Sequence, residues 1–581
     1  MHSCFELRFY LHKVLMLIGL IVTTDVVSAT ESRFGHYQPD PVYSETIEES
    51  FYIALRDGVK LAVKIVRPAH SGKPVDGQFP VIWHHTLSIS RQERDGTGGF
   101  LSALHAIATL AQYGYVVAQV ARRGNGQSFG TMRGYHDRNE AHDAYEVTQW
   151  LAEQAWSDGK VGIYGCSNTG DAAMHAMSTQ PPALKAVFAG CFSWNKFDAF
   201  RRGAIFAQWG TGPARTLEDD LAIPAVDGDE SKILLRQAAE QHQRAKPLIE
   251  MWKSLPYRDS WSPVVGSRFW AEGSVSSYQD QLRRSNIALY VLGGWFDELR
   301  DQGMITFLNV PNTKVIMGPW VHCRNDDFPL LQEIHRYFDF YLKDIDTGIQ
   351  RDKKIHYYSM RPQDKGQWQA SDTWPVPNTQ MQTWFLNEAE LSAGRTKNGE
   401  RSFTVEIDED CPGEVISSRS QPCSEHGSGL SFTSATLERP MEVTGHPVIN
   451  LWMSTNASDA NIFAFLEDVA PNGEVKVLTE GRLKASMRKT GSAPWTLPGN
   501  IPWHRAFEED TQPVNGEGIV QLEFDIMPTS WVFEPGHKIQ ITLTGSDYRE
   551  RLREPANTDT TITVFSGETY PTAVRLPVIG K

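Results

Sequence analysis

Between about residues 51 and 185 the chain alternates short apolar runs with longer stretches of helical periodicity. That rhythm limits the folds open to it more than any other feature. Residues 59–64, 80–83, 115–120, 161–164 and 184–189 read as strands, and 101–113, 140–155 and 171–178 as helices. Within 140–155, Ala144, Val147, Trp150 and Leu151 share one helical face. Strands alternating with helices of this length imply a parallel sheet covered on both faces.

Strand signals are scarce from 195 to 286, where residues 234–252 read as one helix. The α/β rhythm resumes at 287–292 and 314–317, with a helix near 330–341. The interruption is expected to form a helical cap over the carboxyl ends of the strands. Beyond 356, short alternating runs separated by Gly, Pro, Asn and Asp predict an all-β jelly roll. A chain of 581 residues needs more than one core. The expected organisation is a signal peptide at 1–29, an α/β catalytic domain at 30–194 and 287–355, a cap at 195–286 and a jelly roll at 356–581. Residues 30 to about 50 are expected to form an exposed arm.

The N-terminus sets Arg8, His12 and Lys13 before the apolar run 14–22, and Val27-Ser28-Ala29 follows. This is a secretory signal pattern with cleavage near Ala29. The apolar core is short for a bilayer span, so a secreted or periplasmic protein is expected, with no membrane span in its mature form. Cys4 leaves with that segment. Of the other five cysteines, Cys411 and Cys423 flank a Pro/Gly/Ser loop and are the candidate disulfide. No CxxC spacing suggests a metal site. The net charge of −14 and the lack of a basic run argue against nucleic acid as a partner.

The most informative stretch is Gly165-Cys166-Ser167-Asn168-Thr169-Gly170, between a predicted strand and a predicted helix. A serine there sits on a sharp turn that exposes its hydroxyl, and the N–H of Asn168 at the helix start can face an oxyanion. The spacing is one residue longer than the common G-x-S-x-G. An acid and a histidine are expected later in the chain. Asp297 in "LGGWFD" and His322 in "MGPWVH" both follow predicted strands in that order.

These segments resemble the cocaine-esterase-like hydrolases, a family that includes α-amino-acid ester hydrolases, glutaryl acylases and X-Pro dipeptidyl-peptidases. "YGYVVAQVARRGNGQSFG", "LPYRDSW" and "FEPGHKIQITLTGSDY" are similar to further blocks of that family. The resemblance runs from about residue 45 to the C-terminus. It implies an α/β-hydrolase domain, a helical cap and a C-terminal jelly roll. It also implies Ser167 as nucleophile, His322 as base and Asp297 as orienting acid, with no metal or organic cofactor. The expected reaction is cleavage of a small-molecule carboxylic ester or amide through an acyl-enzyme, by an enzyme that is a possible homo-oligomer.

Two departures stand out. The family's oxyanion tyrosine is replaced within His85-Thr86-Leu87-Ser88. Ser88 occupies the matching position and is the expected donor, with His85 as another candidate; one such donor contributes roughly 2.7–4 kcal/mol. Ala121 stands where the family has an Asp before its Arg-Gly pair. The amine-binding acids of the aminopeptidase-type members fall at Leu299 and Arg300, and Asp198 matches a third acid. Trp295, Phe296, Trp320, Asp198, Arg201 and Arg300 are the expected substrate-binding residues. Arg300 with Arg201 or Arg202 fits a carboxylate-bearing substrate; the other reading is structural pairing with Asp301, Glu298 or Asp198. Cys166 and Cys323 are expected to be small buried residues. The alternatives are an acylase or X-Pro/aminoacyl peptidase-type activity, or a non-catalytic secreted binding protein of the same fold.

Overall fold

A computed structural model describes residues 33–89, 106–134, 136–206, 216–325, 328–395, 397–405, 429–499, 501–514, 518–547 and 559–580. The expected signal peptide and the Cys411–Cys423 pair lie outside the described residues.

Eleven strands build the first sheet. They are β1 (Glu45–Ala54), β2 (Lys60–His70), β3 (Lys73–Pro74), β4 (Phe79–Thr86), β5 (Val116–Ala121), β6 (Ser157–Cys166), β7 (Leu184–Gly190), β8 (Ala288–Gly294), β9 (Thr313–Gly318), β10 (Ile355–Ser359) and β11 (Gln367–Ser371). Their order is β1-β2-β5-β4-β6-β7-β8-β9-β10-β11, with β3 on β2. From β5 to β10 every pair is parallel. The chain leaves β4 for β5 on one side and returns to β6 on the other. The carboxyl ends of β4 and β6 therefore flank a topological switch point, where α/β proteins open a crevice.

Side chains alternate between the two faces of this sheet. Val161 and Ile163 of β6 pack with Val147, Leu151, Ala173 and Met174 of the helices Arg138–Ala152 and Asn168–Ser178. Tyr164 packs on the opposite face with Ile334, Tyr337 and Phe338 of the helix Leu330–Lys343. Gly162 lets that helix come close, since a Cβ there would lie 2.6 Å from the Phe338 ring.

Three expectations are corrected. The segment before residue 50 is docked: Tyr37 donates to Asp339 at 2.6 Å, the Gly35 N–H donates to buried Glu333, and β1 pairs antiparallel with β2. Its outer face is polar, so its sequence alone reads as an arm. The expected helix 234–252 is two helices, Ile233–His242 and Leu248–Lys253. Pro247 caps the second, and proline disfavours helical geometry in the residue before it. The first sheet also extends beyond residue 355, because β10 and β11 complete its edge.

Residues 196–206 and 216–283 hold short helices separated by turns. Beyond Thr379 lies a second, 13-stranded sheet. Among the described residues its pairs are antiparallel, except for Glu390–Ser392 with Gly429–Ser434. The β domain closes tightly on the rest: a Cβ on Gly203 would lie 2.1 Å from the Arg482 carbonyl.

Gly162→Ala should lower stability by about 1–3 kcal/mol through overpacking, read as a lower denaturant midpoint. Gly394→Ala, with nothing within 4 Å of its Cβ, should leave the midpoint unchanged.

Candidate active site

Ser167 follows β6 with φ 58° and ψ −128°, a strained backbone for a residue with a side chain. The glycines on either side make this turn possible. A Cβ on Gly165 would lie 2.1 Å from the Thr169 carbonyl, and one on Gly170 would lie 2.4 Å from the Gly190 carbonyl. The extra residue in the spacing is Thr169. Its hydroxyl donates to the Cys166 carbonyl and accepts from the Cys166 N–H, both at 2.9 Å, locking the turn from inside. The strand-to-helix setting inferred from sequence is therefore present.

Asn168 opens the helix Asn168–Ser178, so its N–H has no carbonyl partner within that helix. Its side-chain carbonyl accepts from Arg122, which also pairs with buried Glu140. Its backbone carbonyl accepts from His136 Nε2 at 2.8 Å. Lys196 Nζ lies 2.7 Å from His136 Nδ1. Burial and the Lys196 charge hold the His136 pKa well below its ordinary value. A neutral ring accepting at Nδ1 and donating at Nε2 fits both contacts. The sequence offered no periodic signal for this clamp, which draws on four separate segments.

Asp297 and His322 lie just past the ends of β8 and β9. The two loops are laced together: the Trp295 N–H donates to the Gly318 carbonyl at 2.8 Å and the Phe296 N–H to the Trp320 carbonyl at 2.9 Å. A Cβ on Gly294 would lie 2.3 Å from that Trp320 carbonyl. Asp297 is fully buried and accepts from the Leu299 N–H at 2.7 Å. His322 Nδ1 lies 3.2 and 3.1 Å from its two carboxylate oxygens. It also lies 3.4 Å from Glu298 Oε1, a second carboxylate not anticipated from sequence. Burial disfavours the His322 cation, but Glu298 and Asp297 outweigh it and raise its pKa to about 10. Burial alone would raise the Asp297 pKa, yet the His322 cation keeps it below its ordinary value.

Cys166 and Cys323 are not merely small buried residues. They form a disulfide that joins the neighbour of Ser167 to the neighbour of His322. Cys191, after β7, is free and buried, with its sulfur within 4.8 Å of an Asp297 carboxylate oxygen. Cys191, Asp297 and His322 have donor atoms within 4.8 Å of one another, the one cluster with metal-capable chemistry here whose sulfur is not in a disulfide, among the described residues. The His322–Asp297 hydrogen bond accounts for the proximity of those two residues.

Each expected substrate-binding residue has partners within the protein. Trp295 is fully buried, stacks on Trp374 and donates to the Tyr358 carbonyl. Trp320 packs against Phe328 and Trp368. Phe296 is buried, with Lys476 over its ring. Arg300 binds Glu480 at 2.7 Å and the Asp297 carbonyl at 2.6 Å. Arg201 is buried against the Trp252 and Lys253 carbonyls, and Arg202 pairs with Asp301 and Asp525. Asp198 is held by Arg258 through two contacts, at 2.6 and 3.2 Å. For Arg300 and Arg202 the structural-pairing reading describes the contacts, although the Arg300 partner is Glu480 of the β domain. Ser88 Oγ donates to Gln127 at 3.2 Å. His85 is buried beside Trp83.

Comparison with known proteins agrees with this architecture. Residues 57–324 match the X-Pro dipeptidyl-peptidase (S15) family, and residues 347–574 match the X-Pro dipeptidyl-peptidase C-terminal non-catalytic domain. The chain belongs to this family of serine hydrolases. It is 29% identical to a candidate serine esterase of Mycobacterium bovis, over 95% of this chain and 98% of the relative. It is 24% identical to the cocaine esterase of a Rhodococcus species, over 92% and 99%. Its fold superposes on a CocE/NonD family hydrolase of Staphylococcus aureus with a TM-score of 0.71 at 19% identity, covering 92% of this chain and 94% of that one. The fold is α/β-hydrolase-type with a C-terminal non-catalytic domain. The enzyme is a serine hydrolase with esterase or dipeptidyl-peptidase-like activity.

Removing one of the two carboxylates on His322 should make its cation easier to discharge. Glu298→Gln should therefore move the lower pH limb of kcat/KM towards acid by about 1 unit or more, measured on a chromogenic ester. An unmoved limb would remove Glu298 from the electrostatics of the site.

Proposed function

We propose that Ser167, His322 and Asp297 form a catalytic triad that cleaves a carboxylic ester or amide through an acyl-enzyme. The observation that carries this reading is the Asp297–His322 pair at the ends of β8 and β9, joined through Cys323–Cys166 to the strained Ser167 turn. Asp297 accepts at His322 Nδ1, which orients the ring and leaves Nε2 for the serine proton. As Ser167 Oγ attacks the acyl carbon, His322 takes its proton and the Asp297 carboxylate stabilises the resulting imidazolium. The carbonyl oxygen gains charge and is met by the Asn168 N–H, held in place by Arg122 and His136. His322 then protonates the leaving group. Water, deprotonated by the same histidine, attacks the acyl-serine and releases the acid.

Ser88 is the proposed side-chain donor to the oxyanion. It would exchange its Gln127 contact for the developing charge.

The contacts favour an acyl substrate without a free amine. Asp198, the acid matched to amine recognition, is paired with Arg258, and Arg300 with Glu480. A small ester is therefore proposed ahead of an N-terminally free peptide or β-lactam amide. Export through a cleaved leader is part of the proposal. The Cys166–Cys323 bond supports it, since disulfides persist mainly in oxidising compartments. No helix among the described residues is long and apolar enough to cross a membrane.

The decisive experiment is intact-mass labelling with a fluorophosphonate, beside turnover of p-nitrophenyl acetate and butyrate. Wild type should gain one adduct, and Ser167→Ala should lose both the adduct and kcat, the latter by about 10⁴-fold or more. Folded wild type that neither labels nor turns over ester would overturn the triad. Peptidyl chromogenic substrates with free and blocked N-termini should both be poorer than the esters; preference for the free form would favour the dipeptidyl-peptidase-type activity.

A further inference from the structure

The catalytic serine and histidine belong to strands that are not neighbours. β6 and β9 are separated by β7 and β8, so their axes lie roughly 14 Å apart at about 4.8 Å per strand. His322 must reach back across the top of the sheet on the loop after β9. That loop carries a backbone penalty of its own, because Cys323 has φ 53°. Ser167 has φ 58° and Cys191 φ 47°, conformations that a residue with a side chain keeps only where its surroundings hold it.

Three sulfurs meet where this reach is made. Cys166, at the end of β6, is bonded to Cys323 across 157 residues, with Cα atoms 6.3 Å apart. The Cys191 sulfur lies within 4.8 Å of both. It also lies within 4.8 Å of an Asp297 carboxylate oxygen. Burial, then the Asp297 charge, pushes the Cys191 thiol well above its ordinary pKa, so it remains a proton donor.

We infer that the Cys166–Cys323 disulfide is a positioning element of the triad, tying the nucleophile's turn to the histidine's loop and setting their separation, with Cys191 steadying the acid between them. The inference rests on the serine-hydrolase reading of the same residues. It makes catalytic competence depend on oxidation state. A dithiol reductant supplies two electrons and two protons, leaves Cys166 and Cys323 as thiols and becomes a disulfide itself. The loop then keeps its strained backbone without the bond that restrains it.

The test begins with the fluorophosphonate adduct on wild-type Ser167, whose absence would sink the serine-hydrolase reading before the disulfide is considered. Peptide mapping of the unreduced protein should then find Cys166 bonded to Cys323 and Cys191 as the free thiol. The Cys166→Ala/Cys323→Ala variant should keep its far-ultraviolet circular dichroism and its final labelled fraction. Its labelling rate and kcat should fall about 10- to 100-fold, with KM within about twofold. A purely structural bond would instead lower the labelled fraction and leave the rate per competent site intact. If the double variant does not fold, wild type produced in a reducing cytosol, with both thiols confirmed by mass, takes its place. Native protein with free Cys166 and Cys323, a bond to Cys191 instead, or an unchanged rate without the bond would each overturn the inference.

Discussion

The site depends on the parallel register of four strands. Cys166 of β6 stands beside Gly190 of β7, Gly190 beside Leu292 of β8, and Gly294 of β8 beside Gly318 of β9. In a parallel sheet all carboxyl ends point the same way, so loops far apart in the chain emerge on one edge. Ser167, Cys191, Asp297 and His322 are each placed by that edge. The glycines at the strand ends serve the same purpose, since the carbonyls of Thr169, Gly190 and Trp320 come closer than any side chain would allow.

Buried charge is concentrated around this edge and is compensated locally. Arg122, Glu140, His136, Lys196 and Asp171 form a connected group behind Asn168. Arg300 ties the Asp297 carbonyl to Glu480 of the β domain. Removing one member of such a pair leaves the other buried and uncompensated. The C-terminal domain is thereby coupled to the orientation of the acid as well as covering the fold.

Much of the fold could be read from the chain because it obeys simple periodicities. The α/β rhythm, the interruption after residue 195 and the β-rich C-terminal part all follow from local hydrophobic patterning. The errors have local causes too. Pro247 divides a helix whose apolar pattern runs through it. The polar outer face of β1 hides its pairing with β2. Which partners Trp295, Trp320 and Arg300 meet, by contrast, has no local signature. Their contacts turn them towards Trp374, Trp368 and Glu480.

The sequence by itself determined the order Ser167, Asp297, His322, and the glycines that permit the turn at Ser167. It did so because a nucleophile turn, a strand end and a helix start each leave a signature within a few residues. Only the tertiary structure decided that Cys166 pairs with Cys323, that Glu298 joins Asp297 on His322, and that Arg122 and His136 hold Asn168. Those contacts join residues distant in the chain, and no local pattern encodes which distant partner a side chain meets. The cysteine pair was the nearest to legible. One cysteine precedes Ser167 and one follows His322, so bringing those two segments together brings the sulfurs together as well.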